Sequence, residues 1–145
     1  MIGLIQRVNR ASVEVDEQEI ASINKGILLL LGVEKEDQLS QADRLLQRVI
    51  TYRIFEDTTG RMNKSLLDIS GELLIVPQFT LPADTKKGTR PSFAPAAPPA
   101  LGEQLFDYFV EQSKIKLGKI QAGQFGADMQ VSLINNGPVT FWLQC

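Results

Sequence analysis

Histidine is absent from this 145-residue chain, and cysteine occurs once, at the last position. Without histidine there is no Ser-His-Asp or Cys-His relay. A zinc site built on imidazole or thiolate is excluded as well. A single cysteine closes no intrachain disulfide, and Cys145, with no imidazole to activate it, is a poor nucleophile. A carboxylate-only Mg²⁺ site stays open in principle, but no acidic cluster points to one, so neither a metal nor another cofactor is expected. Any hydrolysis must find its acid and base in Lys, a carboxylate, Tyr, water, the backbone or the substrate itself.

Long apolar runs are also lacking. The longest uninterrupted one, Ile27 to Leu31, is far too short to cross a bilayer. The first fifteen residues alternate apolar and polar side chains, with no cationic start followed by an apolar block, so they do not read as a secretory signal. A cytoplasmic protein with no membrane partner is the expectation. Nor is there a basic surplus: 15 Lys and Arg face 17 Asp and Glu, for a net charge of −2. That argues against coating a nucleic acid, so no DNA partner is expected. It leaves open a grip on one short RNA end. Lys86, Lys87 and Arg90 form a small basic cluster between Ala83 and Arg90, which on its own reads equally as a solvated loop.

What is present suits one domain covering residues 1–145. With 43% apolar residues the chain can bury a substantial core. Ile2, Leu4, Ile5 and Val8 suggest a first strand. Ala11 to Val15 and Glu19 to Ile23 alternate, and Asp16 to Gln18 makes a hairpin between them. Gly26 to Val33 reads as a buried central strand. Ala42, Leu45, Leu46, Val49 and Ile50 recur at helical spacing and predict a helix over 40–53, with Ser40 as N-cap and Asp43 near its positive end. Asp57 to Gly60 is a turn, and Glu72 to Val76 a strand leading into Pro77.

Between Pro82 and Pro99 lie five of the seven prolines. A loop of that length inside a domain is usually functional or mobile. Pro99 opens a second helix, with Leu101, Leu105, Tyr108 and Phe109 along one face and an end near Gly118. Met129 to Leu133 and Val139 to Leu143 alternate as strands, and Asn135 to Pro138 turns the chain between them. Strands, helix, strand, helix and a final hairpin give an α+β domain with antiparallel or mixed sheets and two main helices packed on one side.

Two stretches break local rules. Pro77 ends a buried strand, where it removes a ladder donor. The backbone amides that follow are then free to face a ligand, Gln78 offers a donor and an acceptor, and Thr80 offers a hydroxyl. An ordinary strand end explains the same residues. In the second stretch, Asn136 and Gly137 between alternating strands signal a hairpin. Pro138 cannot donate to a ladder, and the bond before it has an accessible cis form. A cis Gly-Pro tip would project two parallel carbonyls suited to an ammonium group, although the spacing alone does not establish this.

Taken together, the chain resembles the D-aminoacyl-tRNA deacylases, the D-tyrosyl-tRNA(Tyr) deacylase family, over essentially its whole length. The likeness runs through Met1 to Val8, Leu30 to Lys35, Tyr52 to Phe55, Met62-Asn63, Gln78 to Leu81, Asp84-Thr85, Arg90 to Phe93, Ala127 to Leu133 and Asn136 to Phe141. The family signature Asn-x-Gly-Pro-x-Thr is matched by Asn135 to Thr140. The other, Ser-Gln-x-Thr, is matched except that Pro77 stands at the serine position, losing a hydroxyl and an N–H together.

The resemblance implies a compact, barrel-like α+β homodimer acting on the 3′ end of aminoacyl-tRNA. It implies that Gly137-Pro138 is cis and enters the other subunit's pocket, where its carbonyls hold the α-ammonium and leave no room for an L side chain. Glycyl-tRNA, as when glycine is mischarged on alanine tRNA, would enter too. Gln78, Phe79 and Thr80 would form the catalytic stretch, with backbone N–H groups near Phe79 and Thr80 stabilising the oxyanion. The ribose hydroxyl beside the ester would help to activate water, so no protein base is needed. Thr80 as a covalent nucleophile ranks lower, because no side-chain base is evident. Arg7, Pro77, Asn136 and the segment Arg90, Pro91, Ser92 and Phe93 would shape the pocket, Phe79 would contact the adenosine or simply pack, and Lys86 and Lys87 would meet terminal phosphates. Two alternatives remain: a binding module that lost turnover through Pro77, and a small-molecule esterase.

Overall fold

A computed structural model describes residues 1–145. Its strands are β1 (Ile2–Val15), β2 (Gln18–Ile23), β3 (Gly26–Gly32), β4 (Phe55–Glu56), β5 (Met62–Lys64), β6 (Glu72–Pro77), β7 (Ile120–Ala122) and β8 (Gln130–Gln144). The helices are α1 (Leu39–Thr51) and α2 (Pro99–Leu117). A six-stranded mixed sheet runs β2-β1-β3-β6-β7, with β8 also paired to β1. β3 with β6 and β6 with β7 are parallel. β4 and β5 form a separate two-stranded sheet.

The continuous apolar run of β3 follows from its central place, since both its faces are covered. On one face Ile27 and Leu29 join Leu73, Ile75 and Leu143 under Leu45, Leu46 and Val49 of α1 and Leu105, Phe106 and Phe109 of α2. Burying each such leucine contributes about 2 kcal/mol. On the other face Leu28, Leu74 and Val76 meet Val8, Ala11, Val13, Ala21 and Ile23. One strand serves both cores because β1 bends. Register shifts between Gln6 and Val8 and between Val8 and Arg10 turn its second half, with β2 and the start of β8, over the face away from the helices. The sheet thus becomes barrel-like, with both helices on one side.

Three expectations are corrected. The two segments read at the N-terminus are one strand, β1. Helix α1 begins before Ser40: Gln38 occupies the N-cap, and its N–H donates to Gln41 Oε1 at 3.0 Å. Asp43 accepts from the Tyr108 hydroxyl at 3.0 Å and so ties the two helices together. The third correction concerns Asn135 to Pro138, which does not reverse the chain. Residues 130–135 and 140–144 both pair antiparallel with β1, so β8 is a single strand and residues 136–138 bulge from it. The local Asn-Gly signal is outweighed by a partner strand of 14 residues that pairs with both halves.

No helix is long and apolar enough to cross a membrane. No group of three His, Cys, Asp or Glu side chains is placed to hold a metal ion.

In the β4–β5 connection, hydrogen bonds from the Thr59 hydroxyl, the Asn63 amide and the Arg61 and Thr59 N–H groups hold the Asp57 carboxyl well below the usual carboxylate range. A depressed folded-state value means that Asp57 supports this turn fully above the unfolded value of about 3.9. That support then declines as pH falls towards the folded value. Amide exchange at Thr59 and Arg61 should therefore be insensitive to pH from neutrality down to about 3.9 once intrinsic rates are divided out, and local protection should fade progressively below it. Asp57→Asn should lose this acid dependence.

Candidate active site

The site starts where β6 stops. Along β6 the N–H of Leu73 donates to Lys119 on the β7 side at 3.1 Å, whereas that of Gln78 donates to Leu31 on the β3 side at 2.8 Å. By this alternation Pro77 faces its missing N–H towards β7, whose pairing ends at Ala122 opposite Ile75. The last bond between the two segments is the one Gly123 N–H donates to Ile75 O at 2.8 Å, and the proline marks where they part.

Beyond Pro77 the chain leaves the sheet. The Leu81 N–H donates to Gln78 O at 3.3 Å and that of Ala83 to Thr80 O at 3.2 Å, folding the segment back across β3. Glycine is required beneath it: a Cβ on Gly32 would lie 2.9 Å from both Leu81 Cβ and Pro82 Cδ. Within this turn the N–H groups of Phe79 and Thr80 donate to no acceptor in the protomer. The Gln78 side chain donates from Nε2 to Thr80 Oγ1 at 2.6 Å and braces the turn. Two adjacent unsatisfied N–H groups on a braced turn can hold a developing oxyanion.

The proline-rich loop closes over one side. Asp84 and Ser92 exchange N–H···O bonds of 2.8 and 3.0 Å, and Ala97 N–H donates to Val33 O at 2.9 Å. Phe93 meets Phe79 with ring centroids 5.3 Å apart. Lys86, Lys87, Arg90 and Pro91 lie exposed on the same loop. Beside the turn opens a cavity of about 360 Å³, walled by Leu31, Pro77, Phe79, Phe106, Phe125 and Met129. None of its lining residues is titratable.

A second cluster forms around the β8 bulge. Gly137-Pro138 is a cis peptide, and Gly137 has φ 147°. Both residues are exposed. Arg7, only 7% exposed, donates from Nε to Asn136 O at 2.8 Å and from Nη1 to Ile54 O at 2.7 Å. The structure thus joins Pro77, Gln78, Phe79, Thr80, Ser92 and Phe93 in one place, and Arg7, Asn136, Gly137 and Pro138 in another.

The two places are far apart within a protomer. From β6 through β3 and β1 to β8 is three strand spacings, roughly 14 Å. Gln78 follows the Leu31–Pro77 pair and so lies level with Ile2, five residues or roughly 17 Å along β1 from Arg7.

Sequence reasoning missed several contributors. Phe125 and Phe106 wall the cavity, Gly32 admits the turn, and the Asn135 side chain, rather than that of Asn136, bonds across the bulge. A glycine ending an apolar strand was the one visible cue. Nothing local marked the aromatics, which sit on α2 and the β7–β8 connection.

Comparison with known proteins agrees along the chain. A family model described as D-Tyr-tRNA(Tyr) deacylase matches residues 4–144. D-aminoacyl-tRNA deacylases of Cellvibrio japonicus and Aliivibrio salmonicida are 56% and 57% identical over 144 residues, each alignment covering 99% of both chains. A c-Myc DNA Unwinding Element Binding Protein superposes with a TM-score of 0.95 at 38% identity, covering 100% of this chain and 99% of that one. A probable eukaryotic D-amino acid tRNA deacylase shares the fold, with a TM-score of 0.89 at 15% identity over 99% and 98% of the two chains. Whole-length matches at this identity, on a chain that carries Gln78-Phe79-Thr80 and Asn135 to Thr140, make the protein a member of the D-Tyr-tRNA(Tyr) deacylase family.

Proposed function

We propose that the protein hydrolyses the ester of D-aminoacyl-tRNA, releasing the free D-amino acid and tRNA, in a homodimer whose Gly137-Pro138 tips each screen the partner's pocket. The observation that carries this reading is the exposed, braced tip lying three strands away from its own Gln78 turn. A tip so placed serves no pocket of its own protomer. The open sheet face supports a second copy as its partner. Trp142, Leu4 and Leu30 stand side by side across β8, β1 and β3, with Trp142 50% exposed, on the face that the Gln78–Pro82 turn crosses.

Water attacks the ester carbonyl carbon. The oxyanion is held by the N–H groups of Phe79 and Thr80, and the ribose oxygen departs with a proton. A cavity without titratable side chains supports RNA-assisted proton transfer through the neighbouring ribose hydroxyl rather than through a protein base. The apolar cavity beside Phe79 takes the terminal adenosine, and Lys86, Lys87 and Arg90 meet the phosphates. Tip carbonyls bind the α-ammonium, so an L side chain meets backbone. Glycyl-tRNA has no side chain to exclude and is also cleaved.

The test is ester loss from D-tyrosyl-, L-tyrosyl- and glycyl-tRNA. Loss of the D and glycyl esters alone is expected. Protection of all three would make the protein a binding module, and equal loss of D and L would refute the filter. Cleavage of free D-amino esters at the same rate would remove RNA from the mechanism. Because Pro77 turns its missing N–H to a side where pairing has ended, Pro77→Ser should change the D rate by less than about threefold, well under the effect of removing an oxyanion donor.

A further inference from the structure

The bulge in β8 has a fastening that its own backbone does not supply. Register with β1 jumps across Arg7, from the Gln6–Thr140 pair to the Val8–Asn135 pair, so residues 136–138 lie between ladder pairs and have none of their own. Their feet are joined instead by one side chain. Asn135 Oδ1 accepts from the Val139 N–H at 2.7 Å. Its Nδ2 donates to Thr140 Oγ1 at 2.9 Å, to Gln6 Oε1 at 3.2 Å and to Val139 O at 3.3 Å. Both ends of the amide are used, and the bonds cross the mouth of the bulge without touching Gly137 or Pro138.

We propose that Asn135, with Thr140 and Gln6, forms a polar clasp that aims the tip, which makes Asn135 and Thr140 positioning residues for stereochemical selection. This rests on the reading of the tip as a chirality filter. Exclusion depends on where a wall stands, because the D and L side chains leave the same α-carbon and differ only in direction. A wall free to yield by an ångström no longer separates them. The clasp fixes the distance between the feet, and Arg7 fixes the Asn136 carbonyl between them. Loosening the clasp therefore changes selectivity before it changes the oxyanion turn, whose bracing lies at Gln78 and Thr80.

The experiment measures single-turnover hydrolysis of D-tyrosyl- and L-tyrosyl-tRNA by the wild type and by Asn135→Ala, Thr140→Val and Thr140→Ser. Melting temperatures are recorded beside the rates. Asn135→Ala should lower the D/L rate ratio by at least about tenfold. Thr140→Val, which keeps shape but loses the hydroxyl, should lower it several-fold, and Thr140→Ser should restore it. An unchanged ratio in both Asn135→Ala and Thr140→Val, or equal falls in the D and L rates, would overturn the clasp. If Asn135→Ala does not fold, the Thr140→Val and Thr140→Ser pair decides alone. A wild type that cleaves both esters equally would instead remove the filter, and the clasp with it.

Discussion

Gly137→Ala is expected to lower D-aminoacyl ester hydrolysis by about a hundredfold, with the melting temperature nearly unchanged. Gly137 has φ 147°, a region L side chains rarely adopt. A Cβ there would stand 2.6 Å from Val139 Cγ2, 2.9 Å from Val139 N and 3.2 Å from Arg7 Nη2. The valine side chain can rotate, but its backbone nitrogen is held by Asn135 Oδ1. The tip must therefore move. Because Gly137 is exposed and lies outside both apolar cores, the movement costs the fold little. Steady-state rates with D-tyrosyl-tRNA and a thermal melt check both halves of the expectation. An alanine variant with wild-type rate and selectivity would deny the tip its role.

Arg7→Met should cost more in activity than in stability. Methionine fills much of the same volume without donors, so the carbonyls of Ile54 and Asn136 both lose their guanidinium partner. Leaving a buried acceptor unsatisfied costs about 1–3 kcal/mol. Part of that is offset because a buried cation with only carbonyl partners is removed. A net loss of about 2 kcal/mol follows. Activity should fall about a hundredfold or more, since the bond to Asn136 O holds the tip between its feet. Arg7→Lys should sit between, because an ammonium does not span two carbonyls as a planar fork does. Denaturant melts and D-ester rates measure the two effects separately.

The sequence made the regular parts legible through period. Alternation marked β2 and the two halves of β8, continuous apolar runs marked β3 and β6, and helical spacing marked α1 and α2. β4, β5 and β7, of two or three residues each, are too short to carry a period. The bulge in β8 was hidden for a different reason. Asn136-Gly137 carries the same local signal in a hairpin and in a bulge. What distinguishes them is whether the flanking strands pair with each other or with a third, and here the third is the chain's first strand. Pro77 announced that the amides after it would leave the ladder; that of Gln78 still donates to Leu31 O, and those of Phe79 and Thr80 leave it. The clasp was illegible because Asn135 meets Gln6 across 129 residues. Arg7 meets Asn136 across the same separation, which the residues alone did not announce.

Most directly, the trans arrangement is tested by mixing two disabled proteins. One is Gly137→Ala, whose tip is displaced but whose pocket is intact. The other carries Gln78→Ala with Thr80→Ala, whose pocket is disabled but whose tip is intact. Each is unfolded and refolded alone, then together in equal amounts. If the tip serves the neighbouring protomer, every mixed dimer regains one complete site, and about a quarter of the wild-type D-tyrosyl-tRNA hydrolysis returns on co-refolding. If activity stays at the level of the two variants measured apart, each tip serves its own protomer or none, and the account fails.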